Sequence, residues 1–316
     1  MSPSLNMSWH SDVDTSIYPL VDKAIGSVIA VTFIVAILGN VFALVYFWPE
    51  REKTDLHRMY IAIASVDVLT SLLTIPVMTS LFNNREPVLF ASPILCGGWT
   101  ITFGFLVRIS MFLVALMSVT RTIAIVRPFK EVKLSSIFVM TTGYTALLLT
   151  LDGAFFASGW ITGSYYPTKR SFCSYAPTNH AQASRAKVFL FFLFQIEIFL
   201  PPLVIFISFM ISIISLMRKR SRLVALLGKV SRHDSITVIS ITAVFLFCNV
   251  PLFVWQLLNL FLFIKPSFEA DIGTKLIKTY GHLLFMYVPY VLNAALNPVV
   301  YLLRMSGCKQ KFLRWS

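Results

Sequence analysis

Charged side chains are what this sequence has least of. They make up 13% of its 316 residues, roughly half the share usual in a soluble domain. Acidic residues are scarcest, 14 against 27 Lys and Arg. With 57% hydrophobic residues and a mean hydropathy of +0.76, the chain cannot cover itself with a water-soluble surface. Gly-rich phosphate loops, zinc-ligand spacings and nucleophile triads are missing, so the expectation is that the chain is not an enzyme. No internal repeat or low-complexity run is present, which leaves the paired inverted halves of many transporters without support.

What is present is a set of seven long apolar stretches, near 25–48, 59–82, 96–126, 136–160, 188–217, 236–264 and 279–303. A hydrocarbon core about 30 Å thick is crossed by roughly 20 apolar residues of helix, and all seven qualify. The expected fold class is an all-α membrane protein, a seven-transmembrane helix bundle. The chain divides into an extracellular tail at 1–24, the bundle at 25–303 and a cytoplasmic segment at 304–316. Length alone would suggest two domains, but the loops are too short to hold a second. Polar and ionisable residues inside a span are costly, so Asp67, Arg108, Asp152, Glu197, Asn293 and Asn297 mark where function is to be sought.

The net charge of +13 could suggest nucleic acid, but its distribution points to a bilayer instead. Alternate loops and the C-terminal segment hold 17 of the 27 Lys and Arg, the other set holds 9, and Arg108 lies within a span. By the positive-inside rule the N-terminus is external and the C-terminus cytoplasmic. The first two dozen residues lack the pattern of a cleaved signal peptide, so the first span is expected to direct insertion. Asn6-Met7-Ser8 is a glycosylation sequon on the expected external tail. Cys96 and Cys173 are the two cysteines expected outside, where a disulfide is chemically permitted, and are expected to pair. Cys248 falls within the sixth span, where a small buried apolar role suits it, and Cys308 lies just beyond the seventh.

These residues, in order, resemble the rhodopsin-like (class A) G-protein-coupled receptors. The resemblance runs over about residues 25–314 and rests on Gly39-Asn40, Asp67, Cys96 and Thr120-Arg121-Thr122 leading to Ile125-Val126-Arg127-Pro128-Phe129. It continues with Pro201, then Phe245-Leu246-Phe247-Cys248-Asn249-Val250-Pro251, and ends on Asn297-Pro298-Val299-Val300-Tyr301. Each piece is weak alone, and the set at these spacings is specific. It implies that Arg121, Asn297, Pro298, Tyr301, Phe245, Pro251 and Pro201 serve activation and coupling to a heterotrimeric G protein. It also implies that Asp67, Ser110, Asn293 and Asn297 form a polar cluster, with Asp67 as the anchor of an allosteric sodium ion. A water-filled hydrogen-bond network around Asp67 is the plainer alternative. The segment from Arg304 to Arg314 resembles the family's short amphipathic helix on the inner leaflet.

Helix geometry supports the match. Cys96 and Arg121 are 25 residues apart, about 37 Å of helix at ~1.5 Å per residue, enough to reach both surfaces. Ser110 precedes Arg121 by 11 residues, three turns to within roughly 20°, so the two share a helix face.

Departures from the family pattern are informative. Thr120 stands where an acidic neighbour normally restrains Arg121, and Ser231 stands where some relatives carry a glutamate partner, leaving Asp234 as a substitute. Asn249 replaces the usual tryptophan beneath the ligand pocket, and Phe209 the usual tyrosine eight residues after Pro201. Tyr144 or a nearby leucine takes the place of the fourth-span tryptophan. Elevated basal signalling is expected from the missing restraint, and the losses together suggest a divergent, orphan member from an expanded invertebrate branch.

Phe103, where amine receptors carry an aspartate, argues against a monoamine ligand. No lysine occurs between 279 and 303, so no retinal Schiff base is possible. No other cofactor is implied. The expected pocket comprises Phe103, Arg108, Glu197, Asn249, Tyr287 and Tyr290. Arg108 is two residues from Ser110 and so points about 200° away, toward the fifth span. There Glu197, at about the same depth, is its expected ion-pair partner, with Asp152 of the fourth span as the rival.

The function expected is that of a multi-pass plasma-membrane receptor passing the binding of an unknown extracellular ligand to a G protein. A transporter and a receptor-like protein that does not signal are the alternatives.

Overall fold

The computed structural model describes residues 17–48, 55–83, 93–127, 134–157, 161–164, 172–175, 185–218, 229–264 and 288–304. Among them are eight helices, α1 (Ile17–Phe47), α2 (Asp55–Leu72), α3 (Ile75–Asn83), α4 (Pro93–Val126), α5 (Leu134–Ala157), α6 (Arg185–Arg218), α7 (Lys229–Ile264) and α8 (Val288–Arg304). α2 and α3 together make one crossing, so the helices form seven spans. Five of the spans are long and apolar enough to cross a membrane on their described residues alone, and Thr242–Trp255 of α7 is a shorter apolar helix.

The packing is that of a bundle set in lipid. Apolar side chains such as Val45, Phe138 and Phe247 are exposed on the outside, whereas Asn40, Asp67, Arg108, Asp152, Glu197 and Asn297 are buried among the helices. Acyl chains tolerate the first group, and only other helices can satisfy the second. α4 is the central element. Of its most apolar stretch 61% is buried, against 22% for α1, and it packs against α2, α5, α6 and α7.

Three features differ from the sequence expectation. First, α1 begins at Ile17, earlier than the start near 25 expected for the first span: residues 17–24 are helical, and Asp22 is 1% exposed. The polar Asp22 and Lys23 suggested a tail, yet a helix can run past the hydrocarbon into the interfacial layer without losing its internal hydrogen bonds. Second, the second crossing breaks at Leu73–Thr74. Pro76 has no N–H for the Leu72 carbonyl and its ring crowds that turn, so Thr74 bonds back to Ser71 over three residues at 3.0 Å. The Leu73 carbonyl accepts the Trp99 indole N–H at 3.0 Å, fixing the break against α4.

Third, the helical bundle carries a small antiparallel hairpin, β1 (Ile161–Ser164) with β2 (Phe172–Tyr175), in the loop after α5. Residue 173 pairs with Gly163, and both strands pack against α4, the helix that carries Cys96. The side chains of Cys96 and Cys173 lie outside the described residues. So do Asn6, Tyr287, Cys308, the side chains of Ser231, Asp234 and Tyr301, and the expected amphipathic helix from 305 on.

α1 and α8 meet at two residues that the sequence motifs made conspicuous. Pro298 has no N–H for the Ala294 carbonyl, and Asn40 supplies one from α1 with its side-chain amide at 2.8 Å. One residue earlier, a Cβ on Gly39 would stand 2.6 Å from Pro298 Cβ, so glycine is what allows the two helices to approach.

Candidate functional site

Three of the four residues of the expected polar cluster are joined by hydrogen bonds. Ser110 on α4 donates to Asp67 Oδ1 at 3.0 Å, and the Asn297 amide on α8 donates to Oδ2 at 2.8 Å. One carboxylate thus ties α2, α4 and α8. Beside it lies a cavity with room for one water-sized occupant, lined by Asp67, Ser110, Asn293, Phe245 and Tyr290. Asn293 Oδ1 and Asn297 Oδ1 are buried without a hydrogen-bond partner. The Asp67 carboxylate, which keeps lone pairs beyond the two bonds it accepts, and amide oxygens without protein donors make a donor set a hard cation takes, so the residues present fit a small cation as well as a water.

Above this layer, Phe103 is 1% exposed and stacks on Trp99 with centroids 5.4 Å apart. Tyr290 meets the Phe103 ring edge-on at 6.1 Å. Tyr290 also lines the Asp67 cavity, so this ring pair joins the aromatic layer to the polar one. Asn249 is buried and donates to the Phe245 carbonyl one turn before it at 2.7 Å, while its own Oδ1 has no partner.

Arg108 departs from expectation in its principal partner. Nη2 reaches both Asp152 oxygens at 2.5 Å, whereas Nη1 stands 3.5 Å from Glu197. The expected Arg108 to Glu197 ion pair is present, but Asp152, the rival partner, makes the shorter contact, and the three form a triad led by Asp152. Angular position on α4 does point Arg108 away from Ser110, but it faces the seam between α5 and α6, and α5 is the side it bonds. Tyr144, also on α5, stacks on Phe112 with centroids 4.1 Å apart.

Toward the Arg121 end of α4, hydroxyl groups join three helices. Ser118 on α4 shares a hydrogen bond with Thr242 on α7 at 3.0 Å. Thr122, one turn on, meets the Ser212 hydroxyl of α6 at 2.8 Å and the Ser208 carbonyl at 3.0 Å. Arg121 lies between these bonds, lining a small cavity with Phe209, Ser212 and Thr242. Of the four hydroxyl residues that partner one another here, Thr122 alone was named from sequence, as part of the Thr120-Arg121-Thr122 triplet, and no bond was expected of it. The available signal was their spacing: Ser118 with Thr122, and Ser208 with Ser212, each put hydroxyls four residues apart on one face of an apolar helix.

A family model described as "7 transmembrane receptor (rhodopsin family)" matches residues 39–301. The chain belongs to that family. Somatostatin receptor type 4 of Rattus norvegicus is similar to this receptor, with 23% identity over 332 aligned residues that cover 99% of this chain and 79% of the relative. The receptor thus brings family motifs together, Asn40 beside Pro298 at the α1–α8 contact and Asp67 with Asn297 in the polar cluster, and places Arg121 at the cavity lined by Ser118, Ser212 and Thr242. Pro201 and Pro202 lie inside α6, and Pro251 inside α7. Each removes a backbone donor and weakens its helix locally, where a bend costs least.

Proposed function

We propose that this receptor lies in the plasma membrane with its N-terminus outside, takes an extracellular ligand above the Phe103 and Tyr290 rings, and passes its binding to a heterotrimeric G protein at the Arg121 end. The observation that carries this reading is the Asp67 network. Its oxygens are shared between α4 and α8, and it sits between the aromatic layer and the Arg121 cavity, so a shift of either helix changes the same bonds. A ligand that favours one arrangement of such a network shifts the population of the whole bundle. We further propose that the Asp67 cavity accepts a sodium ion, with Asp67, Ser110, Asn293 and Asn297 as its oxygen donors.

The test is a broad ligand screen with a G-protein dissociation readout in cells expressing the receptor. The expected result is a ligand whose signal disappears with Arg121→Ala while surface expression persists. An unchanged ligand response in Arg121→Ala would overturn the coupling assignment. Transport of a solute without any dissociation signal would favour the transporter reading instead.

A further inference from the structure

The α4–α5–α6 triad does not balance its charge. Among the described side chains Arg108 is the one cation of the group and Asp152 and Glu197 are two acids, and these side chains are 4%, 1% and 4% exposed. A guanidinium stays charged in a protein, so two ionised carboxylates would leave one negative charge stranded in the bundle, which is strongly unfavourable. The two acids are not equivalent. Asp152 receives Arg108 Nη2 on both oxygens. Glu197 is 3.5 Å from Nη1, which is ion-pair proximity without a hydrogen bond, and neither of its carboxyl oxygens has a hydrogen-bond partner.

The surroundings offer little to compensate Glu197. From α5 it faces Tyr144 and Asp152, both within electrostatic reach, and from α4 only Arg108. Among the described side chains α7 brings Cys248 as its one titratable group and α8 brings Tyr290, which is within electrostatic reach of Arg108. No described group of three acidic, His or Cys side chains exists to hold a metal ion. A proton is small enough to enter without a cavity, and it turns one Glu197 oxygen into a donor.

We propose that Glu197 is a proton-binding site: the resting bundle holds an exchangeable proton there, and its release leaves a carboxylate that competes with Asp152 for Arg108. The step is a simple ionisation, with the O–H electron pair staying on Glu197 and the proton passing to solvent. Loss of the proton would draw Arg108 from α5 toward α6 and so couple the packing of α4, α5 and α6 to pH. This goes beyond the signalling reading and does not depend on it.

The experiment uses the full chain purified in detergent. Thermal unfolding is followed between about pH 5 and pH 8 for the wild type, Glu197→Gln and Asp152→Asn. A proton bound by the folded state and not by the unfolded one stabilises at low pH and is lost as pH rises. The wild-type Tm is therefore expected to fall by about 4 °C or more across the range, and Glu197→Gln, permanently neutral, to remove that dependence. A pH dependence that survives Glu197→Gln, or that only Asp152→Asn removes, would overturn the assignment. Infrared spectroscopy of the wild type provides a reading that needs no variant. Glu197 is the only glutamate of the chain within an apolar span, so a protonated-carboxyl band at neutral pH that shifts with isotope-labelled glutamate is expected. If no glutamate-derived band is present, the proposal fails.

Discussion

Ser118 and Thr242 share a hydrogen bond of 3.0 Å between α4 and α7, one turn from Arg121. It joins the same two helices that the missing acidic partner of Arg121 at position 231 would have joined. A buried neutral hydrogen bond is worth about 1 kcal/mol, far less than a restraint between buried charges, so a resting state that relied on it would be held only lightly. Thr242→Val keeps the side-chain shape and removes the bond. Ligand-free G-protein activation should rise about fivefold in this variant, and Ser118→Ala should do the same. Thr120→Asp, which restores an acid beside Arg121, should lower it. Nucleotide exchange measured on the purified receptor decides the matter, and an unchanged rate in both hydroxyl variants would show that the bond does not restrain activation.

Arg108 should behave as the centre of a triad and not as half of a pair. Arg108→Ala leaves two acids without their cation and is expected to cost about 3 to 5 kcal/mol, read as loss of surface expression. Arg108→Leu combined with Asp152→Leu should recover expression better than Arg108→Leu combined with Glu197→Leu, because Asp152 holds the shorter contact. The reverse order of rescue would make Glu197 the principal partner.

The α1–α8 contact has no room for a larger side chain at Gly39. Gly39→Val would press its branched carbons into Pro298, whose ring is fixed, and overpacking of this kind costs about 1 to 3 kcal/mol. The purified variant should unfold at a Tm lower by several degrees. A wild-type Tm would mean that the helices separate at little cost.

A sodium ion held at Asp67 should make stability depend on the cation present. The wild-type receptor is expected to unfold at a higher Tm in sodium chloride than in potassium chloride of equal strength, since a ligand of the folded state stabilises by mass action. Asp67→Asn removes the charge but keeps the size and should abolish the difference. Equal Tm values for the wild type in the two salts would leave water as the occupant.

The sequence by itself determined the seven spans and the family motifs within them, because bilayer thickness and the cost of polar atoms in hydrocarbon act on each span separately. Asp67, Ser110 and Asn297 could be brought together by combining helix geometry on α4 with the family pattern, and the structure bonds them as that pattern implies. Only the tertiary structure decided which acid Arg108 chooses. Depth and helix angle admitted both Asp152 and Glu197, and the choice turns on how closely α5 and α6 approach α4, a distance no single span encodes. The hydroxyl bonds around Arg121 were undecided for the same reason: Ser and Thr are tolerated in membrane helices through bonds to their own backbone, as Thr122 makes to the Ser118 carbonyl. Their presence in a span therefore says little until a second helix brings a partner within about 3 Å.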